Sequence, residues 1–207
     1  MAGRVVILDY DAGNLHSVRK AAEVAGLSPV VSAYPEELED AAGVILPGVG
    51  AFGDCMARLH ERGLDQAIME WVVSDRPLLG ICIGLQVLFD WGEEGDGAPG
   101  LGILPGRVRR IAVPEGKVPH MGWNSLRLLR PSPLFAGITE GAYVYFVHSF
   151  QAEVADSTDL TAVTDYGGAV TAAVERGRLY AVQFHPEKSS SVGLRLLRNF
   201  GRICGIG

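Results

Sequence analysis

The sequence predicts an α/β protein whose mostly parallel central sheet carries helices on both faces and is extended by antiparallel strands. Two observations predict this class. Short, almost wholly apolar stretches alternate with amphipathic helical segments through residues 1–91, as in doubly wound sheets. Beyond residue 106 the pattern changes to short strands, two of them joined by a tight turn. With 207 residues, of which 48% are hydrophobic and 20% charged, the chain suits one domain over residues 1–207.

The first half of the chain alternates strand and helix. Its predicted strands span residues 4–10, 29–32, 43–46 and 78–81, each an apolar run of the kind buried on both faces. Its predicted helices span residues 15–25, 36–42, 53–61, 64–74 and 83–91. Asn14 is a good N-cap for the first helix, and Gly26 follows its last turn. In open sheets of this kind, sites form at the carboxyl ends of the strands.

The second half begins with an acidic, glycine-rich stretch over residues 92–106, which predicts a loop. Short apolar runs then predict strands over residues 108–113, 143–149, 160–164, 170–175 and 179–184. Arg176-Gly177 joins the last two as a hairpin, so antiparallel strands extend the sheet. A closing helix over residues 189–203 places Val192, Leu196, Phe200 and Ile203 on one face.

Composition excludes several classes of function. The formal net charge of −6 argues against nucleic acid as a partner. No apolar run reaches the roughly 20 residues that a membrane helix needs, and no signal peptide is visible. The three cysteines, Cys55, Cys82 and Cys204, are too widely spaced for a disulfide framework or a metal site. We therefore expect a cytoplasmic protein that binds neither metal nor membrane.

Cys82, at the junction of the fourth predicted strand and the following helix, is a candidate nucleophile. Glycines stand two residues before and after it, at Gly80 and Gly84, which is the pattern of a nucleophile elbow with a thiol in place of a hydroxyl. Small neighbours permit a sharp turn, and the free N–H groups of the first helical turn favour a thiolate. A buried structural thiol is the alternative interpretation.

His185 is the best candidate for a base among the five histidines. It lies at the end of a predicted strand and is followed by Pro186 and Glu187. Residues two apart in an extended chain point the same way, so the Glu187 carboxylate can reach the imidazole. A nucleophile, a base and a group that orients the base are the parts that thiol catalysis needs. A strand-end histidine in a structural hydrogen bond is the alternative.

Residues 48–53 form a second glycine cluster between a predicted strand and a helix. Read as a dinucleotide-binding fingerprint, the cluster has Glu70 and Asp75 near the expected acidic position. Such a fingerprint normally occupies the first strand–helix turn, which here is residues 9–14, and Pro47 interrupts the approach to the glycines. A nucleotide-binding module is thus the rival hypothesis.

The same cluster can instead contribute to an oxyanion hole. Glycines on both sides of Val49 leave its N–H free to point into a site at the sheet edge, where it could act with the N–H of Ile83.

Taken together, the Cys82 elbow and the motif around His185 resemble the class I (triad) glutamine amidotransferases. The resemblance implies a flavodoxin-like fold and covers nearly the whole chain. Within that family, further stretches resemble the branch formed by the glutaminase subunits of imidazole glycerol phosphate synthases. These stretches are residues 47–53, 119–124 and 145–150, together with Lys188-Ser189.

The resemblance implies hydrolysis of L-glutamine to glutamate and ammonia without a cofactor or a metal. Cys82 would form a γ-glutamyl thioester, His185 would be the base and then the acid, and Glu187 would hold its tautomer. Val49, after a peptide reorientation, and Ile83 would bind the oxyanion. The residues that would bind glutamine are Gly50, Gln86, Glu94, His148 and Ser149.

The branch also implies a partner, a (β/α)8-barrel cyclase subunit that receives the ammonia in a heterodimer. Four residues match positions that would face this cyclase: Asn14, Met121, Trp123 and Lys188. A triad glutaminase that serves another synthase, such as pyridoxal phosphate synthase, is the alternative within the family. The stretch over residues 119–124 argues against it.

Overall fold

The computed structural model describes residues 3–11, 13–113 and 117–206. The ends of the predicted domain and Ala12 of the predicted loop lie outside these residues. The α-helices are α1 (Leu15–Val24), α2 (Phe52–Glu61), α3 (Leu64–Val73), the one-turn α4 (Ile83–Gln86) and α5 (Ser190–Ile203). The strands are β1 (Arg4–Leu8), β2 (Pro29–Ser32), β3 (Ala41–Leu46), β4 (Leu78–Ile81), β5 (Phe89–Gly92), β6 (Ala98–Pro99), β7 (Leu104–Arg110), β8 (His120–Ser125), β9 (Arg127–Leu128), β10 (Tyr143–His148), β11 (Phe150–Val154), β12 (Leu160–Asp165), β13 (Ala169–Arg176) and β14 (Leu179–Val182).

The central sheet has eight strands in the order β2-β1-β3-β4-β14-β13-β12-β9. The first five are mutually parallel, and the last three continue the sheet in antiparallel fashion. The predicted fold class is confirmed, including the hairpin between β13 and β14. Because β4 and β14 are parallel neighbours, their carboxyl ends lie side by side.

Helices cover both faces of this sheet, which explains why the parallel strands are apolar on both sides. On one face, α1 and α5 bury Val18, Leu196 and Phe200. On the other face, α2 and α3 bury Leu59 and Ile68. Within the described residues, no helix combines the length and the apolarity needed to cross a bilayer.

The prediction of a helix over residues 83–91 is wrong beyond its first turn. The carbonyl groups of Val87, Leu88 and Phe89 accept hydrogen bonds from N–H groups within residues 101–104, so they cannot continue a helical ladder. The chain enters β5 instead, which pairs with β7. Apolar residues in this segment satisfy either period, and tertiary pairing decides between them.

Other differences concern short elements. The predicted loop over residues 92–106 contains β6 and the start of β7, and the strand predicted over residues 108–113 ends at Arg110. β7 lies in a four-stranded sheet of order β11-β7-β5-β6, and β10 pairs with β8, so neither extends the central sheet. The helix predicted over residues 36–42 is a 3-10 turn, Pro35–Leu38, because residues from Ala41 onward pair with β1.

Candidate functional site

Cys82 occupies a strained turn between β4 and α4. Its φ of 56° and ψ of −107° lie where residues other than glycine are seldom found. A Cβ at Gly80 would lie 2.5 Å from the Gly84 carbonyl oxygen, and a Cβ at Gly84 would collide with the Leu46 carbonyl. The backbone can approach itself this closely only because both flanking residues are glycine. The turn has the geometry of a nucleophile elbow.

His185 and Glu187 lie beside this elbow because they follow β14, the parallel neighbour of β4. The Cys82 N–H donates to the Val182 carbonyl at 2.8 Å. His185 Nδ1 lies 2.7 Å from Glu187 Oε1, and the two side chains are 2% and 1% exposed. A carboxylate accepts hydrogen bonds, so Nδ1 carries the proton and the buried Nε2 is left for the thiol.

The electrostatics of this group suit a thiol nucleophile. Burial opposes a charge on His185, but the neighbouring Cys82 thiol and the hydrogen-bonded Glu187 carboxylate outweigh it and raise the pKa of His185 to about 10. An imidazolium next to a thiol favours the thiolate, which is the nucleophilic form. The same imidazolium can then protonate a leaving group.

Asn14 also contacts this group. It is the N-cap residue of α1, with a φ of 60°, and its Nδ2 lies 2.5 Å from Glu187 Oε1. Asn14, one of the four residues predicted to face a partner, therefore contacts the carboxylate that holds His185. One carboxylate oxygen receives both donors.

A cavity of about 290 Å³ opens in front of Cys82 and His185. It brings together all five residues predicted to bind glutamine and both residues predicted to form the oxyanion hole. Its lining comprises Val49, Gly50, Cys82, Ile83, Gln86, Glu94, Pro119, Val147, His148, Ser149, Phe150, His185 and Lys188.

The segment over residues 47–53, here called the oxyanion segment, is held at its two ends. The Tyr10 hydroxyl donates to the Pro47 carbonyl at 2.6 Å, and the Phe52 N–H donates to Glu94 Oε2 at 2.7 Å. Val49 and Gly50 lie between these anchors, and Gly50 has a φ of 111°. The segment thus presents a glycine-flanked peptide to the cavity.

The position of Glu94 argues against the dinucleotide hypothesis. A phosphate-binding segment needs the free N–H groups and positive end of the following helix. Here the Glu94 carboxylate occupies the first N–H of α2. Its negative charge would repel a pyrophosphate.

Buried amides connect the cavity wall to the nucleophile. Gln183 Nε2 lies 3.6 Å from Cys82 Sγ. Gln86 Nε2 donates to Gln183 Oε1 and to the Phe150 carbonyl, at 3.0 Å each. His148 Nδ1 donates to the same carbonyl at 2.8 Å.

His148 is paired with His120, which lies on β8. His120 Nδ1 lies 3.0 Å from His148 Nε2, and Asn124 Nδ2 lies 3.2 Å from His120 Nε2. Because His148 Nδ1 donates to a carbonyl, its Nε2 must accept a hydrogen bond. His120 therefore carries its proton on Nδ1, and its Nε2 accepts from Asn124. Burial lowers the pKa of each histidine to about 4. Both rings are neutral, and the His148 ring has no nitrogen left for a ligand.

Sequence reasoning missed Gln183 and Ser189. Gln183 precedes His185 by two residues, so the alternation predicted from the sequence for this segment could have pointed to it. In the structure, the extended chain predicted after His185 is a 3-10 turn, Pro186–Lys188, and this turn brings Glu187 to the imidazole. The Ser189 hydroxyl is buried, donates to the His185 carbonyl at 2.6 Å and accepts the Tyr145 N–H at 3.0 Å. No sequence signal distinguishes this serine from a simple helix N-cap.

The remaining residues predicted to face a partner lie around the cavity rim. Met121 and Trp123 on β8 are 61% and 52% exposed. Lys188 lines the cavity, and its Nζ lies 5.7 Å from the centre of the Tyr145 ring. Tyr145 in turn meets Trp123 edge to face. The exposed Trp123 side chain is therefore linked to the cavity through Tyr145 and Lys188.

A family model described as glutamine amidotransferase class-I matches residues 6–204. The chain belongs to the class-I glutamine amidotransferases. The matched range includes the Cys82 elbow, His185 and Glu187.

Curated relatives resemble this amidotransferase over nearly its whole length. One from Thermosynechococcus vestitus is 51% identical over 203 residues, which cover 96% of each chain. Another, from Synechococcus sp. strain JA-3-3Ab, is 50% identical over 202 residues, which cover 96% of this chain and 93% of the relative. Both are named imidazole glycerol phosphate synthase subunit HisH. A crystal structure described as a glutamine amidotransferase has the same fold, with a TM-score of 0.78 at 22% identity over 99% of this chain and 100% of the other.

Proposed function

We propose that this amidotransferase is the glutaminase subunit of an imidazole glycerol phosphate synthase. The observation that carries the proposal is that Cys82 and His185 line one cavity, with Glu187 bonded to His185, in a chain half identical to subunits of that name. The reaction is the hydrolysis of L-glutamine to glutamate and ammonia. The ammonia is consumed by a partner in histidine biosynthesis.

In the first half-reaction, the Cys82 thiolate attacks the γ-carboxamide carbon of glutamine. The negative charge that develops on the carbonyl oxygen is stabilised by backbone N–H groups. The Ile83 N–H is suitable because the first N–H of a helix has no partner within it. The Val49 N–H supplies a second donor once the Gly48–Val49 peptide turns toward the cavity. His185 then protonates the amine, and ammonia leaves a γ-glutamyl thioester on the sulfur.

In the second half-reaction, neutral His185 takes a proton from water, and the hydroxide attacks the thioester carbonyl. Glutamate leaves, and the Cys82 thiolate and the His185 imidazolium are restored. Glu187 holds Nδ1 in both steps, so the reacting nitrogen is always Nε2.

The cavity offers polar groups for the amino-acid end of glutamine. Glu94 uses Oε2 for the Phe52 N–H, which leaves Oε1 for the substrate ammonium. Gln86 uses its amide nitrogen within the protein, so its Oε1 can accept from the same ammonium. The backbone of Ser149, beside His148, and that of Gly50 provide partners for the carboxylate end.

Free ammonia is protonated in neutral water and loses its nucleophilicity, so its consumer must be docked next to the cavity. The partner would be the (β/α)8-barrel cyclase subunit, which would yield imidazole glycerol phosphate and an aminoimidazole carboxamide ribonucleotide. Met121 and Trp123 would lie in the interface, with Lys188 and Asn14 between interface and active site. The free thiols support a cytoplasmic location for this heterodimer.

A glutaminase assay with and without the cyclase subunit and its nucleotide ligand tests the proposal. We expect little glutamate from the isolated chain and a large increase when the cyclase and its ligand are added. Cys82→Ser should abolish turnover in the complex, whereas Cys204→Ser, a control at a free thiol that follows α5 and lies outside the cavity, should not. Activation only by a pyridoxal phosphate synthase subunit would redirect the assignment, and no activity with any partner would refute it.

A further inference from the structure

We propose that Gln183 is a further catalytic residue, whose side-chain amide donates a hydrogen bond to the Cys82 sulfur. This inference rests on the proposed glutaminase function for its consequences in turnover. The hydrogen bond itself can be tested independently of that function.

The position of Gln183 is fixed by the central sheet. Its N–H donates to the Ala172 carbonyl at 2.9 Å, so its backbone is held by β13. It stands directly after β14 and two residues before His185. The side chain is fully buried, and Nε2 lies 3.6 Å from Cys82 Sγ. This is hydrogen-bond distance for a sulfur acceptor.

The orientation of the amide follows from its partners, since nitrogen and oxygen of an amide are distinguished only by what they contact. The Phe150 carbonyl can only accept, so Gln86 must present its NH₂ group there, at 3.0 Å. The same NH₂ group lies 3.0 Å from the Gln183 side chain, which must therefore present its oxygen. The Gln183 NH₂ group is left pointing at the sulfur.

The Phe150 carbonyl also accepts a hydrogen bond from a second donor. His148 Nδ1 donates to the Phe150 carbonyl at 2.8 Å, and this carbonyl therefore receives two hydrogen bonds. Reversing the Gln86 amide would place its oxygen against the carbonyl oxygen, at the cost of a buried hydrogen bond. The Phe150 carbonyl thus receives donors from both sides, and from Gln86 the donations run through Gln183 to the nucleophile.

The chemistry gives this donor a role in both half-reactions. Cys82 is 4% exposed, so water contributes little to the stability of its thiolate. An N–H aimed at the sulfur stabilises the thiolate before attack and again when it leaves the thioester. Gln183 neither gains nor loses a proton in either step. It stabilises charge on the reacting atom.

The pH dependence of Cys82 alkylation by iodoacetamide, followed by peptide mass spectrometry, tests the proposal on the full chain. Burial raises the pKa of Cys55 to about 11 and that of Cys204 to about 12, so neither thiol obscures Cys82. Gln183→Met removes the donor while keeping a side chain of similar length. His185, Tyr10 and Cys55, the titratable groups that interact with Cys82, remain in place.

We expect Gln183→Met to shift the midpoint of the alkylation profile upward by about one pH unit. Gln183→Glu, whose carboxylate cannot donate, should shift it at least as far. The control is Thr171→Val, which removes another buried hydrogen-bonding side chain of the same sheet, one that bonds the Ala152 carbonyl instead. It should leave the midpoint unchanged. Unchanged midpoints in folded Gln183 variants would overturn the proposal.

A measurement without a Gln183 substitution covers the case in which the variants do not fold. In a nitrogen-15 NMR pH titration of the wild-type chain, the chemical shift of the Gln183 side-chain amide should change with the same midpoint as Cys82 alkylation. In Cys82→Ser this change should be absent. An amide signal indifferent to Cys82 would also overturn the proposal. If the alkylation shift is observed but no partner elicits glutaminase activity, the hydrogen bond stands and the proposed function fails.

Discussion

Glu187 holds His185 through Oε1, and this oxygen also receives the Asn14 amide at 2.5 Å. Its other oxygen, Oε2, is buried and makes no hydrogen bond within the described part of the chain. The orientation of the carboxylate therefore depends on Asn14 as well as on His185. The N-cap residue of α1 is therefore part of the hydrogen-bonded group around the proposed catalytic histidine.

We expect Asn14→Leu to lower kcat for glutamine hydrolysis about tenfold at saturating cyclase, the value of one hydrogen bond to a charged group. KM for glutamine should change little, because Asn14 does not line the cavity. The measurement is steady-state kinetics, with His16→Leu as the control on the exposed side of α1. A normal kcat with weakened cyclase binding would show that Asn14 acts only at the interface.

At the scale of elements, the oxyanion segment combines fixed ends with a permissive centre. Gly50 has a φ of 111°, and a Cβ there would meet nothing within 4 Å. A substitution at this position therefore changes the backbone preference without a steric clash.

Gly50→Ala should disfavour the positive φ at this position by about 1 kcal/mol or more. The segment would then move away from the cavity wall and misplace the Val49 donor, so we expect at least a fivefold lower glutaminase rate in the complex. Gly63, before α3, also has a positive φ and open space around it, which makes Gly63→Ala the matched control. Both variants should lose similar stability in urea unfolding, but only Gly50→Ala should lose activity. Equal activity of the two would separate the oxyanion segment from catalysis.

The pairing of β8 with β10 buries His120 and His148 as neutral rings. In the unfolded chain these histidines take up protons near pH 6.5, whereas in the folded state their pKa values are about 4. Between these values the unfolded state binds more protons, so the free energy of unfolding falls as the pH falls. His185, with a raised pKa, acts in the opposite sense and above pH 6.5.

Urea unfolding at pH 7 and pH 5 should therefore show a loss of roughly 1–2 kcal/mol per histidine of the pair. His120→Phe keeps the aromatic stack on Phe146 and Tyr166 and should reduce the pH-dependent loss by about half, although it is less stable at both pH values. His16→Gln should retain the full loss. A His120→Phe variant with wild-type pH dependence would contradict the neutral-pair account.

Several elements could be predicted from sequence because their period and their position agree. Apolar runs of four to six residues marked β1, β3 and β4, and glycines marked the elbow. The segment after Gln86 could not be predicted, since its carbonyls are claimed by residues 101–104, a pairing with no local signature. The two smaller sheets, β10-β8 and β11-β7-β5-β6, could not be predicted for the same reason.

In the candidate site, too, some features could be predicted from the sequence and others could not. That Cys82 and His185 lie side by side could be predicted because a sharp turn and a strand end are readable from the sequence, whereas their catalytic roles stay a prediction. The bond from Asn14 to Glu187 and the pairing of His120 with His148 join residues 173 and 28 positions apart. Only the folded chain brings them together.

At the scale of the whole molecule, the parallel sheet places the cavity at one edge and the exposed residues of β8 beside it. Trp123 and Met121 are large, exposed and apolar, and an edge-to-face contact links Trp123 to Tyr145. Residues of this type supply much of the energy of protein interfaces. We therefore expect the partner to bind here, where it can influence the cavity.

Trp123→Ala should weaken cyclase binding about tenfold to a hundredfold, measured by titration calorimetry. Val73→Ala is the control, because Val73 is 87% exposed but lies at the end of α3 that leads into β4, at the opposite edge of the sheet. It should bind as the wild type does. If Val73→Ala weakened cyclase binding and Trp123→Ala did not, the interface would lie at the opposite edge of the sheet.

Covalent labelling with a diazoketone analogue of glutamine, in the presence of the cyclase, would show whether Cys82 is the nucleophile toward glutamine. Peptide mass spectrometry should find the label on Cys82, glutamine should protect it, and Cys82→Ser should remain unlabelled. A glutamine-protected label on Cys55 or Cys204, or no protected label at all, would contradict the account.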